Sequence, residues 1–128
     1  MQVLLDTQAF LWFTGNDSKL SAVARKLIEE PSNDLLLSAA SVWELAIKLS
    51  IGKLQLSEPL EPFLRHHLPA NAIDPLPILH DHAARVVSLP MYHRDPFDRL
   101  LVAQCLVENL PIVSIDATLD AYGIIRYW

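Results

Sequence analysis

Four acidic residues stand where a mainly parallel α/β fold would gather them: Asp6, Glu44, Asp98 and Asp116. Asp6 and Asp116 directly follow apolar runs, Val3 to Leu5 and Ile112 to Ile115. Glu44 falls early on a helix that follows a third apolar run, and Asp98 falls in the first turn of the helix preceding the Asp116 run. Right-handed crossovers put the N-termini of such helices at the carboxyl edge of the strands, so all four acids can meet there. Two carboxylates about 4 Å apart repel by roughly 4 kcal/mol at an effective dielectric of about 20. Such a group is not assembled for stability. Oxygen ligands without thiolates or a paired-histidine motif suit Mg²⁺ or Mn²⁺ rather than zinc, and one or two such ions support phosphodiester hydrolysis.

Each acid also has a purely structural reading. Asp6 and Asp116 suit N-caps at strand-to-helix turns, and Glu44 stands three residues after Ser41, the spacing of a capping box. In His93-Arg-Asp-Pro-Phe-Asp98, Asp95 is placed to cap a helix whose first residue is Pro96. Asp95 therefore starts the helix and orients the site from behind, while Asp98 faces the crevice. Four coincidental caps at one edge are a weaker explanation than a shared site.

The elements that must position these acids are legible in outline. Gln2 to Leu5 and Asp34 to Ser38 read as buried strands, and Pro111 to Ile115 and Ile124 to Trp128 as two more. Ile73 to Ile78 is an edge strand at best, because Pro75 and Pro77 cannot donate to a ladder. Helical spacing runs from Thr7 to Thr14, Ser21 to Glu30, Ser38 or Ser41 to Ser50, around Leu60 to Leu68, from His80 to Leu89, and from Pro96 to about Asn109. Strands alternating with helices give an α/β fold: a three-layer sandwich, with a mainly parallel sheet of four to five strands and helices on both faces.

The chain has 128 residues, 52% hydrophobic and 20% charged, which fits one domain over 1–128 with a substantial core. Asp6 interrupts the first apolar run and no later run reaches about 18 residues, so neither a signal peptide nor a membrane span is expected and a cytoplasmic location is the default. A net charge of −5 disfavours a broadly basic nucleic-acid surface, although metal ions would neutralise the acidic centre. The single cysteine, Cys105, lies among Leu101, Val102, Leu106 and Val107 and reads as a small buried hydrophobe. His66, His67, His80 and His82 lack zinc spacing and read as surface residues. Trp43 reads as core or as an interface anchor.

Four segments resemble PIN-domain ribonucleases, most closely the VapC toxins of bacterial type II toxin-antitoxin pairs. They are Val-Leu-Leu-Asp-Thr ending at Thr7, Leu-Ser-Ala-Ala-Ser-Val-Trp-Glu-Leu from Leu37, His-Arg-Asp-Pro-Phe-Asp-Arg-Leu-Leu-Val-Ala-Gln from His93, and Val-Ser-Ile-Asp from Val113. The resemblance implies a PIN-like fold and assigns Asp6, Glu44, Asp98 and Asp116 to metal binding and catalysis, with Asp95 and Asp120 as supporting acids. It implies Mg²⁺ or Mn²⁺, RNA cleavage, a homodimer, a VapB-type antitoxin whose tail enters the active-site groove, and operator DNA bound only through that antitoxin. Ser114 and Ile115 depart from the family's common Thr-Arg and remove one phosphate contact. Lys48, Lys53, Arg94 and Arg99 flank the acid-bearing segments and are candidates for the RNA backbone. His93 is a candidate for ordering its loop. The alternative from another class is a catalytically silent PIN-fold module that only binds a partner protein.

Overall fold

The computed structural model describes residues 1–128, and its chain order is set by short buried strands and the helices that cap directly onto them. Strand β1 (Gln2–Leu5) passes into α1 (Thr7–Thr14) and then α2 (Ala22–Glu29), and β2 (Asp34–Ser38) into α3 (Ala39–Ser50). After α4 (Leu60–Ala70) come β3 (Ile73–Leu76), α5 (His80–Arg85) and a 3₁₀ turn over Val86–Ser88. Helix α6 (Pro96–Glu108), β4 (Ile112–Val113), a 3₁₀ segment (Ala117–Tyr122) and β5 (Arg126–Tyr127) complete the chain.

All four strand pairings are parallel, in the order β3-β2-β1-β4-β5. The chain first builds outward from β1 through β2 to β3, then returns to the other side of β1 with β4 and β5. The order reverses between β1 and β4, and such a switch point opens a crevice at the carboxyl ends of the two strands. Leu5 pairs with both Leu37 and Val113, so Asp6 and the residues just after β4 emerge side by side.

Alternation along the strands divides the core. Val3, Leu5, Leu35, Leu37, Ile73 and Val113 pack with Phe10, Ala24, Ile28, Leu45 and Phe63 on one face. Leu4, Leu36 and Ile112 pack with Leu101, Val102, Cys105 and Leu119 on the other. The sheet is thus covered on both sides, which is why β1 and β2 are unbroken apolar runs. β3, with Pro75 at its centre, lies at the edge. β4 is shorter than the run from Pro111 to Ile115 suggests: only Ile112 and Val113 are strand. Ser114 begins the turn, its hydroxyl accepting the Asp116 N–H at 3.1 Å.

One side chain sits elsewhere than the sequence suggests, and a second takes one of its two readings. His82 is fully buried rather than on the surface, accepting the Leu79 N–H on Nδ1 at 3.0 Å and facing Glu108 Oε1 with Nε2 at 2.7 Å. Trp43 is 59% exposed, which rules out the core and leaves it the interface-anchor reading. It meets Phe97 edge-on at 5.2 Å, tying together the helices that carry Glu44 and Asp98. No helix is long and apolar enough to cross a membrane.

Candidate metal centre

Local chain chemistry delivers each acid to the crevice. Asp6 is the N-cap of α1, with Oδ1 accepting the Ala9 N–H at 2.6 Å. Asp116 caps the 3₁₀ segment, with Oδ1 accepting Thr118 N–H at 3.0 Å and the Thr118 hydroxyl at 2.6 Å. Asp95 caps α6 behind Pro96, with Oδ1 taking the N–H groups of Phe97 and Asp98 at 2.8 and 3.2 Å. Glu44 is not a capping-box partner of Ser41, because Ser38 caps α3. Instead Glu44 Oε1 accepts the Thr7 hydroxyl at 2.7 Å, and its Oε2 lies 2.8 Å from Lys48 Nζ. Capping and cavity-lining are therefore compatible: each capping Asp commits one oxygen to the backbone, which leaves the second for another partner, as at Asp116 Oδ2, 2.7 Å from His93 Nε2.

Asp6, Glu44, Asp95, Asp98 and Asp116 line one cavity of about 230 Å³, together with Thr7, Gln8, Lys48 and Ile115. Proximity raises the cost of holding charge there. Burial raises the Asp6 pKa, with Glu44 and Asp116 adding to the effect and the Ser114 hydroxyl and Ala9 N–H opposing it. Asp98 is pushed up to about 7 by burial and then by Asp95, with Glu44 and Asp6 contributing and His93 opposing. At Asp116 burial also raises the pKa, but the Thr118 hydrogen bonds and His93 outweigh it and the net shift is downward. Among the four acids at the strand edge, Asp98 has His93 Nε2, 3.3 Å away, as its one side-chain partner.

This donor set fits a hard divalent cation. Carboxylate oxygens predominate, no thiol lines the cavity, and a cation would offset the burial and like-charge repulsion that disfavour ionised Asp6 and Asp98. Cys105 does not line this cavity: it lies two turns further along α6, buried, with its thiol pushed up to about 12 by burial.

Several sequence expectations about neighbouring residues need correction. Arg99 does not face a substrate: it is 8% exposed, and its guanidinium donates to the carbonyls of Pro90, His93, Val86 and Leu89 and to the Tyr122 hydroxyl. Asp120 does not line the cavity; it is exposed and paired with Arg126 Nε at 2.8 Å. Lys48 does reach the cavity, with its Nζ held by Glu44, whereas Lys53 and Arg94 are exposed without side-chain partners. His66 and His67, in the second half of α4, stand beside Glu58 from the segment before that helix, far from the acids in sequence and outside their cavity.

Thr7 lines the cavity, and Ser114 and His93 hydrogen-bond its acids from outside it; these contacts to the acids are what the sequence did not show. Thr7 directly follows Asp6, a signal that was available. His93 Nε2 lies 2.7 Å from Asp116 Oδ2, and the ring groups with Asp98 and Asp116 with ligand atoms within 4.8 Å of one another.

Comparison with known proteins identifies the family. The PIN domain profile matches residues 3–125. The chain belongs to the PIN-domain family. Over 124 residues, covering 94% of this chain and 91% of the relative, it is 30% identical to Ribonuclease VapC22 of Mycobacterium tuberculosis. It is 37% identical to Ribonuclease VapC16 of the same organism over 60 residues, 47% of this chain and 43% of that protein, so this second likeness spans under half of the relative. The fold matches VapBC2 from Rickettsia felis, solved bound to a DNA fragment from its promoter, with a TM-score of 0.74 over 98% of this chain and 97% of that one at 15% identity. The PIN-like fold expected from the four sequence segments is thus borne out.

Proposed function

We propose that the protein is a VapC-type endoribonuclease that hydrolyses RNA phosphodiester bonds at a carboxylate-held Mg²⁺ or Mn²⁺ site. The observation carrying this reading is the meeting of Asp6, Glu44, Asp98 and Asp116 in one small cavity at the β1/β4 switch point. Membership of the PIN family and likeness to proteins named ribonucleases supply the substrate class.

In this reading the four acids hold the ion. When bound, a divalent ion supplies charge neutralisation at a phosphodiester oxygen and lowers the pKa of water. The rest falls to the chain. Thr7 fixes the Glu44 carboxylate, Thr118 fixes Asp116, and the α1 N-terminus fixes Asp6, so that the acids do not have to reorganise as charge develops. Lys48 at the cavity lip, with Lys53 and Arg94 outside it, offers cations to the RNA backbone.

The partner follows from the same reading. Solved relatives of this fold are complexes named VapBC and FitAB, some with DNA. We infer a VapB-type antitoxin for this chain, operator DNA reached only through it, a homodimeric toxin built from one domain over 1–128, and a cytoplasmic setting. The deciding experiment is cleavage of total RNA with Mg²⁺ or Mn²⁺. Loss of cleavage on chelation and in Asp98→Asn and Glu44→Gln is expected; activity that survives both would sink the reading. Folded protein that takes up no Mn²⁺ by calorimetry would favour a catalytically silent binding module instead.

A further inference from the structure

His93 reaches two of the acids, Asp116 at 2.7 Å and Asp98 at 3.3 Å, and two roles are open to it: ligand or holder. Its two ring nitrogens decide between them. Nδ1 accepts the Asp95 backbone N–H at 3.1 Å. A nitrogen that accepts a hydrogen bond carries no proton, so the ring proton sits on Nε2, the nitrogen that faces the acids. Nε2–H then donates to Asp116 Oδ2 at 2.7 Å and stands 3.3 Å from Asp98 Oδ2. A protonated Nε2 has no lone pair for a metal.

The ring is also held from behind. The His93 N–H donates to the Tyr122 hydroxyl at 2.9 Å, and that hydroxyl donates to the Pro90 carbonyl at 2.9 Å. Arg99, buried beneath the loop, donates to the carbonyls of Pro90 and His93 at 2.9 and 3.4 Å and reaches the Tyr122 hydroxyl at 3.3 Å. An arginine and a tyrosine thus fix the loop that presents one imidazole. Asp95 joins the same system twice, capping α6 with its carboxylate and orienting the His93 ring with its N–H.

We propose that His93 is a positioning residue: its Nε2–H bridges Asp116 and Asp98 and sets the separation at which the two carboxylates take the cation, without ligating it. The inference rests on the metal-site reading above. Hydrogen-bond partners that orient ligating groups are worth about 10- to 100-fold in metal affinity when removed.

The test is Mn²⁺ titration calorimetry on the full chain, with metal-free thermal melts as a fold control. His93→Ala is expected to weaken Mn²⁺ binding about 10- to 100-fold. His93→Gln, whose amide N–H reaches the place of Nε2–H, is expected to recover most of it. Tyr122→Phe, which removes the anchor without touching the acids, is expected to weaken binding less than His93→Ala, and it preserves the test if His93→Ala unfolds. Side-chain ¹⁵N NMR is expected to show the His93 proton on Nε2 both without metal and with saturating Mg²⁺. Mn²⁺ binding by His93→Ala as tight as wild type, or tighter, would overturn the proposal, as would Nε2 losing its proton to Mg²⁺. If the wild-type protein itself takes up no Mn²⁺, the metal-site reading falls and this role falls with it, an outcome separable from an unchanged variant.

Discussion

Lys48 Nζ lies 2.8 Å from Glu44 Oε2, one turn further along α3, at the lip of the acidic cavity. Glu44 is buried while Lys48 is roughly half open to solvent, so the pair is neither a typical surface bridge nor a buried one. In the absence of a cation, Lys48 is the positive charge that Glu44 has. Lys48→Met should lower the metal-free stability by about 1 kcal/mol, more than an exposed i,i+4 pair gives, which for a chain of this size is a fall of about 4 °C in melting temperature. Saturating Mn²⁺ should recover that loss, because the ion replaces the missing charge. Differential scanning calorimetry with and without Mn²⁺ checks both halves. A variant that melts as wild type without metal would show that Thr7 alone suffices to hold Glu44.

Asp98 makes stability depend on pH in a defined direction. Its pKa is raised from the ordinary 3.8 to about 7, first by burial and then by Asp95. The folded state therefore binds this proton more tightly than the unfolded chain does. The stability it contributes is fully present below about pH 4 and is lost as pH rises toward 7. The raised Asp6 acts in the same direction, and the lowered Asp116 in the opposite one, its contribution being lost as pH falls. Asp98→Asn isolates the first effect. Because the Asp98 carboxyl is about a third open to solvent, the variant should gain about 1–2 kcal/mol over wild type between pH 5 and pH 8, measured by urea unfolding without metal. Mn²⁺ should raise the wild-type melting temperature more at pH 8 than at pH 5, and EDTA should reverse it. Equal Mn²⁺ stabilisation at both pH values would contradict the assignment.

Much of this site could be read from the sequence because local rules carry it. An apolar run ending in Asp fixes Asp6 at a strand end whatever the rest does, and Asp95-Pro96 announces the start of α6. The missing parts depend on distant partners. His93 meets Asp116 across 23 residues and His82 meets Glu108 across 26, and no spacing rule reports such encounters. Arg99 was misplaced for the same reason: a cation next to Asp98 reads as surface until the loop from Val86 to His93 is seen to close over it. β4 was overextended because Ser114 and Ile115 suit a strand in isolation, whereas the Ser114 hydroxyl turns the chain toward Asp116.

The polar group buried between α5 and α6 offers a control that should affect stability alone. Ser38 Oγ donates to Gln104 Oε1 at 2.5 Å, and Gln104 Nε2 donates to the Pro77 carbonyl at 3.2 Å and faces His82 Nδ1 at 3.4 Å. Gln104 is fully buried. Gln104→Ala leaves Ser38 and the Pro77 carbonyl without their partner as well as opening a cavity, so a loss of about 2–4 kcal/mol is expected in chemical unfolding. Mn²⁺ affinity, measured at a temperature where the variant is folded, should stay within about twofold of wild type, because the network shares no residue with the acids. A large drop in affinity would mean that α5 and α6 transmit strain to Asp98.

The four basic candidates for RNA contact divide by burial, and the division is testable. Arg99 holds five acceptors around its guanidinium, four of them backbone carbonyls of the loop from Val86 to His93. Removing it leaves the Leu89 and His93 carbonyls without a donor and empties the space under the loop, so Arg99→Ala should cost about 3–5 kcal/mol, and Arg99→Lys should recover little because a lysine cannot fork among several acceptors. Arg94 and Lys53 hold no partner, and Arg94→Ala and Lys53→Ala should each change stability by less than about 0.5 kcal/mol. Their effect should appear in RNA binding instead. In an Asp98→Asn background that prevents cleavage, each should reduce the slope of log affinity for single-stranded RNA against log salt by about 0.7, the mark of one lost phosphate contact. Lys48→Met should do the same if its ammonium turns from Glu44 to the backbone when RNA binds, so fluorescence anisotropy across a salt series on the three variants separates residues that touch RNA from those that only surround the acids. An unchanged slope for all three would place the RNA path on another face of the molecule.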